Sequence, residues 1–511
     1  MNYGLRWEYY SPVTEAHDRV KIFDLAGCHG VCPSTDSLEF PNYKNFDPRF
    51  SLAWAPSSSN GKTVVRAGFG IYHGAAQNDD RNAALESDRT DNQFVVGQGG
   101  APDTGINFTP GFLQNPPDLG LPPGSAQPQL VARALIRHHP DLYVEEWGVS
   151  VQQALPENFI FTVSYLGSHG VHLFARNYQN LCNPAILHPG DGTIGPCVRP
   201  LDGYPVNNPD GTQSFWGTID YKSNVGTSTY NGILFALDRQ VYKGLAFNAK
   251  YTFAHSINDA SVGGGEASAP QNAACVPCEK GDSIYDIRHN IILSFVYQLP
   301  FGPGQKYATE GFTSRLLSGW TTSGLWNWHT GHPLTVGLNI DPTLLPDGND
   351  GSSPRPDVIA GMPLTPQGQN ANNWINGAAF TAPPYDPLTG ALLRYGNAGN
   401  GIVRSPNASQ FDFSLQKQVH LHERLSAIFG AQVFNIFNHV QLADPHSLNF
   451  DYSCNPSSPS SNTVTCGITP HSNFGVINTT VNQNNNSDKF FADNTGTGLA
   501  RQFQLFVRFE F

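Results

Sequence analysis

Charged residues are scarce in this sequence: Asp, Glu, Lys and Arg make up 14% of it, against about 25% in an average soluble domain. Long hydrophobic runs are missing too, since no stretch of 18 apolar residues occurs, and this argues against a transmembrane helix. A net charge of −12 argues against nucleic acid as a partner, because nucleic acid binds basic surfaces. A membrane β-barrel fits both low charge and a mean hydropathy of −0.32, because half of each spanning strand faces a wet lumen.

The motifs of a catalytic site are absent as well. The sequence has no Gly-x-Ser-x-Gly, no His-Glu-x-x-His and no phosphate-binding loop. His138 and His139, and His169 with His172, could be metal ligands, but histidines in polar loops are more often surface residues. Asp347–Gly351 offers oxygen atoms for calcium without the closing Glu of a calcium loop, so a tight turn is the better interpretation. We expect no enzyme, no cofactor and no metal site.

Apolar and polar residues alternate most clearly at the carboxyl end of the chain. One row of side chains there is wholly apolar, and the other is polar apart from Phe506; the apolar row is Phe503, Leu505, Val507, Phe509 and Phe511. A strand with this pattern has one apolar face and one wet face. About ten such residues cross a bilayer as a tilted strand. Alternation also suits a half-buried strand of a sandwich, but an aromatic-rich strand at the terminus favours an outer-membrane barrel.

Similar strand-like segments come in pairs that short turns connect. Gly, Pro, Asn and Ser, the residues that hairpins require, occur in most of these turns. The pairs are 49–55 with 63–73, 146–154 with 159–168, 230–242 with 245–255, 290–299 with 320–329, and 411–419 with 424–437. With 3–10 at the start and 501–511 at the end, we count about 12 strands, and none of the segments shows a helical period.

Long polar connections separate these pairs, at about 74–143, 169–228, 333–410 and 439–499. Connections of this length without secondary structure count against a compact soluble domain. Outer-membrane barrels, in contrast, have short periplasmic turns and long extracellular loops. The sequence therefore predicts an all-β fold, an antiparallel transmembrane β-barrel that forms a single domain over residues 1–511.

The cysteines fall in the long connections, none of them in a predicted strand. They form four pairs that are local in sequence: Cys28/Cys32, Cys182/Cys197, Cys275/Cys278 and Cys454/Cys466. Eight cysteines allow 105 connectivities, so the pairing itself is not fixed by the sequence. One pair per loop is typical of disulfides in an oxidising exterior. The alternative, a zinc site at Cys275 and Cys278, would need a second pair nearby, and the next cysteines are far away in sequence.

Several segments resemble one known family. They match, in family order, the carboxy-terminal barrel of TonB-dependent outer-membrane receptors of the Oar-like type. The matching segments are 3–8, 47–54, 61–72, 165–170, 251–259, 288–302, 433–439 and the terminal strand. They span the whole chain.

The resemblance implies what the whole protein would contain and do. Such receptors have an export signal, a TonB box, a plug and about 22 strands. Residues 1–10 have no features of a signal peptide and have the pattern of a strand, so we expect that an amino-terminal part is missing here. The implied partners are outer-membrane lipid, the TonB complex through that missing part, the barrel assembly machinery through the terminal strand, and an unknown extracellular ligand.

The barrel hypothesis also assigns places to individual side chains. Aromatic residues near strand ends would form interface girdles, or alternatively stack on sugars at the pore mouth; they are Tyr9, Tyr10, Trp147, Tyr297, Trp320, Trp326 and Trp328. Lys250, Arg508 and Glu510 would face the lumen. About twelve strands in an open sheet would leave unpaired edges in hydrocarbon. Either further strands complete the barrel, or the first and last strands meet and close a smaller one.

The leading functional hypothesis is a receptor of the Gram-negative outer membrane that takes up a glycan, a peptide or a metal chelate bound by its outer loops. The first alternative is a surface adhesion protein or structural barrel without active transport. The second is a secreted β-rich enzyme acting on glycans, which would have carboxylates clustered in a cleft.

Overall fold

The computed structural model describes residues 1–12, 14, 16–17, 22–24, 27–32, 40–74, 129–135, 140–181, 199–207, 213–259, 270–347, 352–422, 425–457, 463–480 and 500–511 of the chain. Within these residues, no helix has the length and apolar character that crossing a membrane requires.

Twelve long strands form one antiparallel sheet, as the alternation predicts. They are β1 (Asn2–Glu8), β2 (Asn45–Trp54), β3 (Thr63–His73), β4 (Tyr143–Ala154), β5 (Phe159–Gln179), β6 (Gln213–Tyr242), β7 (Leu245–Asn258), β8 (His289–Gln298), β9 (Trp320–His329), β10 (Ala408–His422), β11 (Leu425–Phe434) and β12 (Gln502–Glu510). Each strand pairs with the next one along the chain, so the sheet is a simple meander with β1 and β12 at its two edges.

Short turns and long connections alternate between the two ends of the strands, and this prediction is confirmed. The two-residue turn between β6 and β7 is Lys243-Gly244, and both residues have positive φ, at 48° and 80°. Two residues with positive φ give the twist that a two-residue hairpin needs. Following the arrangement in outer-membrane barrels, we call the end with the short turns periplasmic and the end with the long connections extracellular.

The remaining elements are short and lie in the connections. Within the described ranges, one α-helix, α1 (Gly311–Leu317), lies between β8 and β9. The 3-10 helices are Ser57–Ser59, Pro156–Asn158, Val276–Glu279, Pro342–Leu344 and Gly377–Ala379. The short strands are Phe23–Asp24, Gly30–Val31, Gln129–Leu135, Val206–Asn207, Gly281–Asp282, Pro333–Leu334, Gly337–Asn339, Asp357–Val358, Phe380–Thr381, Val403–Arg404, Asn449–Pro456 and Val464–Pro470.

The register of the sheet joins the apolar rows of the twelve strands into one continuous face. Residues directly opposite each other in an antiparallel pair point to the same face. Starting from β1, the cross-strand chain Tyr3, Phe50, Phe69, Trp147 is apolar at every step. At the other edge, Val507 lies opposite Phe429. None of these side chains is buried: their exposure ranges from intermediate at Trp147 to 84% at Tyr3, as expected of a face that contacts lipid.

The opposite face is polar, as a wet lumen requires. The three residues expected to face the lumen lie on it: Lys250 is opposite Ala236, Arg508 is opposite Ile428 and Glu510 is opposite Ser426. On the terminal strand, the structure separates the apolar row of Phe503 to Phe509 from the polar row of Gln502 to Glu510, and Phe511 follows directly after the strand.

Two predicted loops contain strand, so these boundaries were wrong. Residues 169–179 and 213–228 form the upper part of the β5–β6 hairpin, which continues as far as the pair Gln179–Ile219. Within 74–143, the strand Gln129–Leu135 pairs in parallel with the start of β6. Above the apolar face neither side of a strand contacts lipid, so the alternation that marks the lower strands is lost there.

The sheet is open in the described part of the chain. β1 pairs only with β2 among the twelve strands, and β12 only with β11. The smaller closed barrel, in which the first and last strands would meet, is therefore not the arrangement of these residues.

Candidate functional site

The long connections after β9 and β11 fold together at the extracellular end, so the prediction of structureless loops at 333–410 and 439–499 was wrong for their described residues. We call the described residues within 330–407 and 435–480 the loop assembly. Its two parts share a strand pairing, Gly337–Asn339 with Asn449–Pro456. They also share a hydrophobic core: Val336, Leu338, Leu345, Ile375, Ala379, Phe380, Leu392, Val403 and Phe450. The apolar residues that form this core are widely spaced between polar ones, so the sequence gives no periodic signal for it.

A buried ion pair joins the loop assembly to the connection between β7 and β8. Arg355 of the assembly pairs with Glu279, and their side chains are 4% and 6% exposed. Asn400 donates to Glu279 Oε2 at 2.8 Å, and Gln271 Nε2 donates to the Gly396 carbonyl at 3.0 Å. A buried charge is tolerated only when it is paired and hydrogen-bonded. Three connections are thus held in one arrangement by residues that sequence analysis did not single out.

A second charged group lies beneath the assembly, near the upper end of β7. Arg288 and Arg404 each form ion pairs with both Asp282 and Asp286. Arg288 lies 3.2 Å from each carboxylate, and Arg404 lies 2.6 Å from that of Asp286. Burial raises the pKa of Asp286, but the hydrogen bonds and charges of the two arginines, with the backbone N–H of Ser256, outweigh burial and lower it.

The same carboxylates are the one group of possible metal ligands found among the described residues. His255, Asp282 and Asp286 have ligand atoms within 4.8 Å of one another. The two guanidinium groups already neutralise both carboxylates, and His255 Nε2 contacts Asp282 at 2.8 Å. We assign this group to an ion-pair network, since a cation would have to displace arginine from its partners.

Three of the four predicted cysteine pairs lie in the described residues, and each has its sulfur atoms at bonding distance. The Sγ–Sγ distances are 2.06 Å for Cys28–Cys32, 1.94 Å for Cys275–Cys278 and 2.04 Å for Cys454–Cys466. Cys182 and Cys197 lie outside the described residues. Cys454 and Cys466 stand opposite each other in a hairpin of the loop assembly, so the expectation that no cysteine lies in a strand was wrong. Oxidation of the pairs in the native protein stays a prediction.

The structure places the other candidate ligands as follows. His169 Nδ1 contacts the Ser228 carbonyl at 2.9 Å on the upper β5–β6 hairpin. His172 lies on the same strand, with its ring edge against Tyr143. Asp347 accepts a hydrogen bond from the Tyr395 hydroxyl, and burial together with this carboxylate raises the pKa of Tyr395. His138, His139 and residues 348–351 lie outside the described residues.

The predicted girdle aromatics divide between the two faces. Trp147, Trp320, Trp326, Trp328 and Tyr297 all belong to the apolar face, Tyr297 and Trp320 near its periplasmic end and the others near its extracellular end. Tyr9 continues the row of β1 and stacks on Tyr43 at 5.2 Å.

Tyr10 is the exception, because it turns to the polar side. Its hydroxyl contacts the Glu8 carboxylate and donates to the His73 carbonyl at 3.1 Å. The girdle assignment is therefore wrong for Tyr10, which a carboxylate two residues away holds on the wet face.

The polar face also holds an open groove of about 990 Å³ against β1–β6. Side chains of that face that line it include Arg49, Arg66, Ser150, Ser164 and Tyr230. The Arg49 guanidinium lies 4.4 Å from the centre of the Tyr72 ring. Glu146, Leu166 and Leu234 line it as well, so the groove offers hydrogen-bond donors, a carboxylate and apolar surface to a solute or to another part of a protein.

Known proteins were compared with the chain. Residues 1–504 match the family model described as outer membrane beta barrel domain. No curated protein matches the chain. Solved structures that it is similar to include the outer membrane transporter YddB from Escherichia coli, at TM-score 0.40 and 10% identity, covering 83% of this chain and 40% of that one.

Two more of the similar solved structures are receptors. The ferric enterobactin receptor PfeA from Pseudomonas aeruginosa matches at TM-score 0.36 and 10% identity, covering 78% of this chain and 36% of that one. The ferric-catecholate import receptor Fiu from Escherichia coli K12 matches at TM-score 0.34 and 11% identity, covering 91% and 41%. The chain thus spans less than half the length of these solved structures. On the family match over nearly its full length, the chain belongs to the outer membrane beta barrel domain family and is a protein of the outer membrane.

Proposed function

We propose that this chain supplies wall strands and outer loops of a TonB-dependent receptor that binds a nutrient outside the cell and admits it through the barrel. The observation that carries the proposal is a polar face on one side of a lipid-exposed sheet, with a packed loop assembly at its extracellular end. A wet inner face is needed only if something polar is enclosed by the barrel.

The loop assembly supports binding rather than simple coverage of the sheet edge. Loops that are disordered before binding lose conformational entropy when a ligand orders them, whereas packed loops do not. The buried pair of Glu279 with Arg355 and the shared hydrophobic core hold three connections in place without a ligand. The nutrient is a glycan, a peptide or a metal chelate, and the protein acts as a receptor and not as an enzyme.

The open sheet supports further strands in the complete receptor. Each unpaired backbone group in hydrocarbon costs several kcal/mol, so neither β1 nor β12 can face lipid with a free edge. We propose that further strands of the same protein cover both edges, that a plug lies against the polar groove, and that the TonB complex acts on that plug. The terminal strand carries the insertion signal for the barrel assembly machinery.

The experiment compares two deletions in the source bacterium, one of this gene and one of the TonB energising protein. Growth is measured on a panel of limiting nutrients: single glycans, peptides and ferric chelates. The proposal predicts a nutrient on which both deletions cause the same growth defect, and on which a double deletion adds nothing. Restoring the gene without its TonB box should not restore growth.

The alternative of an adhesion protein has one observation in its favour, the long outer loops with cysteine pairs that are each local to one loop. It predicts a deletion phenotype in surface attachment that does not depend on TonB. That result, together with normal growth on the whole panel, would replace the transporter proposal.

A further inference from the structure

Basic side chains meet aromatic rings at the periplasmic end of the sheet. The Arg239 guanidinium lies 4.7 Å from the centre of the Phe159 ring and 5.2 Å from that of Tyr242. Lys243 Nζ lies 4.9 Å from the Tyr242 ring, and Lys306 Nζ lies 5.0 Å from the ring of its neighbour Tyr307. We call Arg239, Lys243 and Lys306 the basic cluster.

Two neighbouring connections bring the cluster together. The Gln298 N–H donates to the Gly244 carbonyl at 2.8 Å, which joins the turn after β6 to the start of the connection that carries Lys306. Hydrogen bonding to Tyr307 raises the pKa of Lys306, and the positive charge of Lys243 opposes that rise. Both lysines are exposed.

Acidic groups only partly neutralise the cluster. Glu157, in the turn between β4 and β5, lies 3.4 Å from Lys243 Nζ and 3.4 Å from the Arg239 guanidinium. One carboxylate for three cations leaves an excess of two positive charges. Ammonium groups at this position can therefore still bind a phosphate oxygen.

Exposed apolar residues lie on the same connection as Lys306. In α1, Phe312 is 79% exposed and Leu316 is 55% exposed, whereas Ser314 is buried. Trp320 Nε1 donates to the Leu316 carbonyl at 3.0 Å, so the helix adjoins the lower edge of the apolar face. A short amphipathic helix beside that face suits the boundary between acyl chains and headgroups.

We propose that the basic cluster binds the headgroup of an anionic phospholipid in the periplasmic leaflet, while α1 lies in the interface beside it. Charge selects the phosphate, and the adjoining apolar face takes the acyl chains. Free phosphate would use the charge but leave Phe312 and Leu316 in water. The inference depends only on the barrel lying in the membrane, and not on the nutrient.

Native mass spectrometry tests the proposal on the protein purified from outer membranes in detergent. It is titrated with phosphatidylglycerol and, separately, with phosphatidylcholine of the same acyl chains. We expect phosphatidylglycerol adducts at lower lipid concentration. K243Q and K306Q should each weaken phosphatidylglycerol binding about fivefold, because each substitution removes the electrostatic attraction of one lysine to the anionic lipid. Heat-modifiable migration on a gel verifies that each variant is folded.

The matched control is K62Q. Lys62 is an exposed lysine in another short periplasmic turn. Among the described residues, its ammonium group does not lie over any aromatic ring. Its replacement should leave phosphatidylglycerol binding unchanged, and K243R should retain it. Equal binding of the two lipids, equal losses in K62Q and K243Q, or full competition by inorganic phosphate would each overturn the proposal.

Discussion

At the scale of single residues, the sequence shows which side chains can face lipid but not which ones hold the loops. Phe503 and Leu505 are recognisable because they belong to a row with period two. Glu279 and Arg355 belong to no row, and 76 residues separate them, so only the folded chain brings them together. The histidines considered as metal ligands and the residues 347–351 considered as a calcium loop also belong to no such row. Their spacing in the sequence alone says little about whether they bind a metal.

The buried ion pair is expected to stabilise the loop assembly strongly. Arg355→Gln would leave Glu279 charged and buried, which costs about 3–5 kcal/mol. Hydrogen exchange of the loop-assembly amides should show the free energy of local opening reduced by that amount. Arg394→Gln is the control, because Arg394 is 48% exposed and water screens its pair with Asp357, whose own side chain is 11% exposed, so the loss should be smaller than for the fully buried pair. Similar losses in both variants would contradict the assignment.

Gly390 is expected to be required by its contact with a disulfide. Its φ is +76°, and an added Cβ would lie 2.6 Å from the Sγ atom of Cys454. Gly361 has a similar φ of +81° with nothing within 4 Å of such an atom. Gly361→Ala should therefore cost about 1–2 kcal/mol for the backbone alone, and Gly390→Ala about 1–3 kcal/mol more. Equal exchange rates in the two variants would show that the contact does not matter.

The network beneath the loops predicts a pH dependence. The pKa of Asp286 is lower in the folded protein than in the unfolded chain, so the unfolded chain binds more protons near pH 4. The resulting stability is fully present above about pH 4 and is lost as the pH falls through the lower, folded pKa. The free energy of opening, measured by exchange, should decrease on acidification below about pH 4, and Asp286→Asn should flatten that decrease. An unchanged slope in the variant would remove Asp286 as its cause.

At the scale of elements, the strands of the lipid-facing region were predictable, and the extracellular structure was not. β3 and β9 have the bounds that the sequence predicts, because their alternation begins and ends with the apolar face. β5 and β6 continue far above that face, where backbone pairing is supplemented by side-chain contacts such as the Arg176–Asp220 ion pair at 3.0 Å. Most short strands of the loop assembly are two or three residues long, too brief for a period to be recognised. Asn449–Pro456 and Val464–Pro470 do alternate between apolar and polar residues, and this signal was missed.

The two faces of β12 provide a direct test of the register. Leu505 lies in the middle of the apolar row, and Gln504 beside it lies on the polar face, opposite Gln432. Leu505→Arg should reduce the free energy of unfolding by about 2–4 kcal/mol, whereas Gln504→Arg should change it little. Urea unfolding in lipid vesicles measures both. A larger loss for Gln504→Arg would mean that the faces are assigned the wrong way round.

At the scale of the whole molecule, the central feature is the division of the sheet into two faces. The continuous apolar face contacts lipid, and the polar face encloses water. Cross-strand pairs from Tyr3 on β1 to Val507 on β12 follow that division. The strand pairing, the division into an apolar and a polar face, and the position of the long connections at one end are all consistent with the family match over residues 1–504. The sequence could predict this division because it depends on period two alone, but not the packing of the loops above it.

The most direct test is fractionation of the full-length gene product, with its migration on a gel measured before and after boiling. The account predicts that the protein is found in the outer-membrane fraction and migrates as a compact species until it is boiled. A protein in the soluble fraction whose migration boiling does not change would contradict the account, and the exposed apolar face would then have to be buried against another surface.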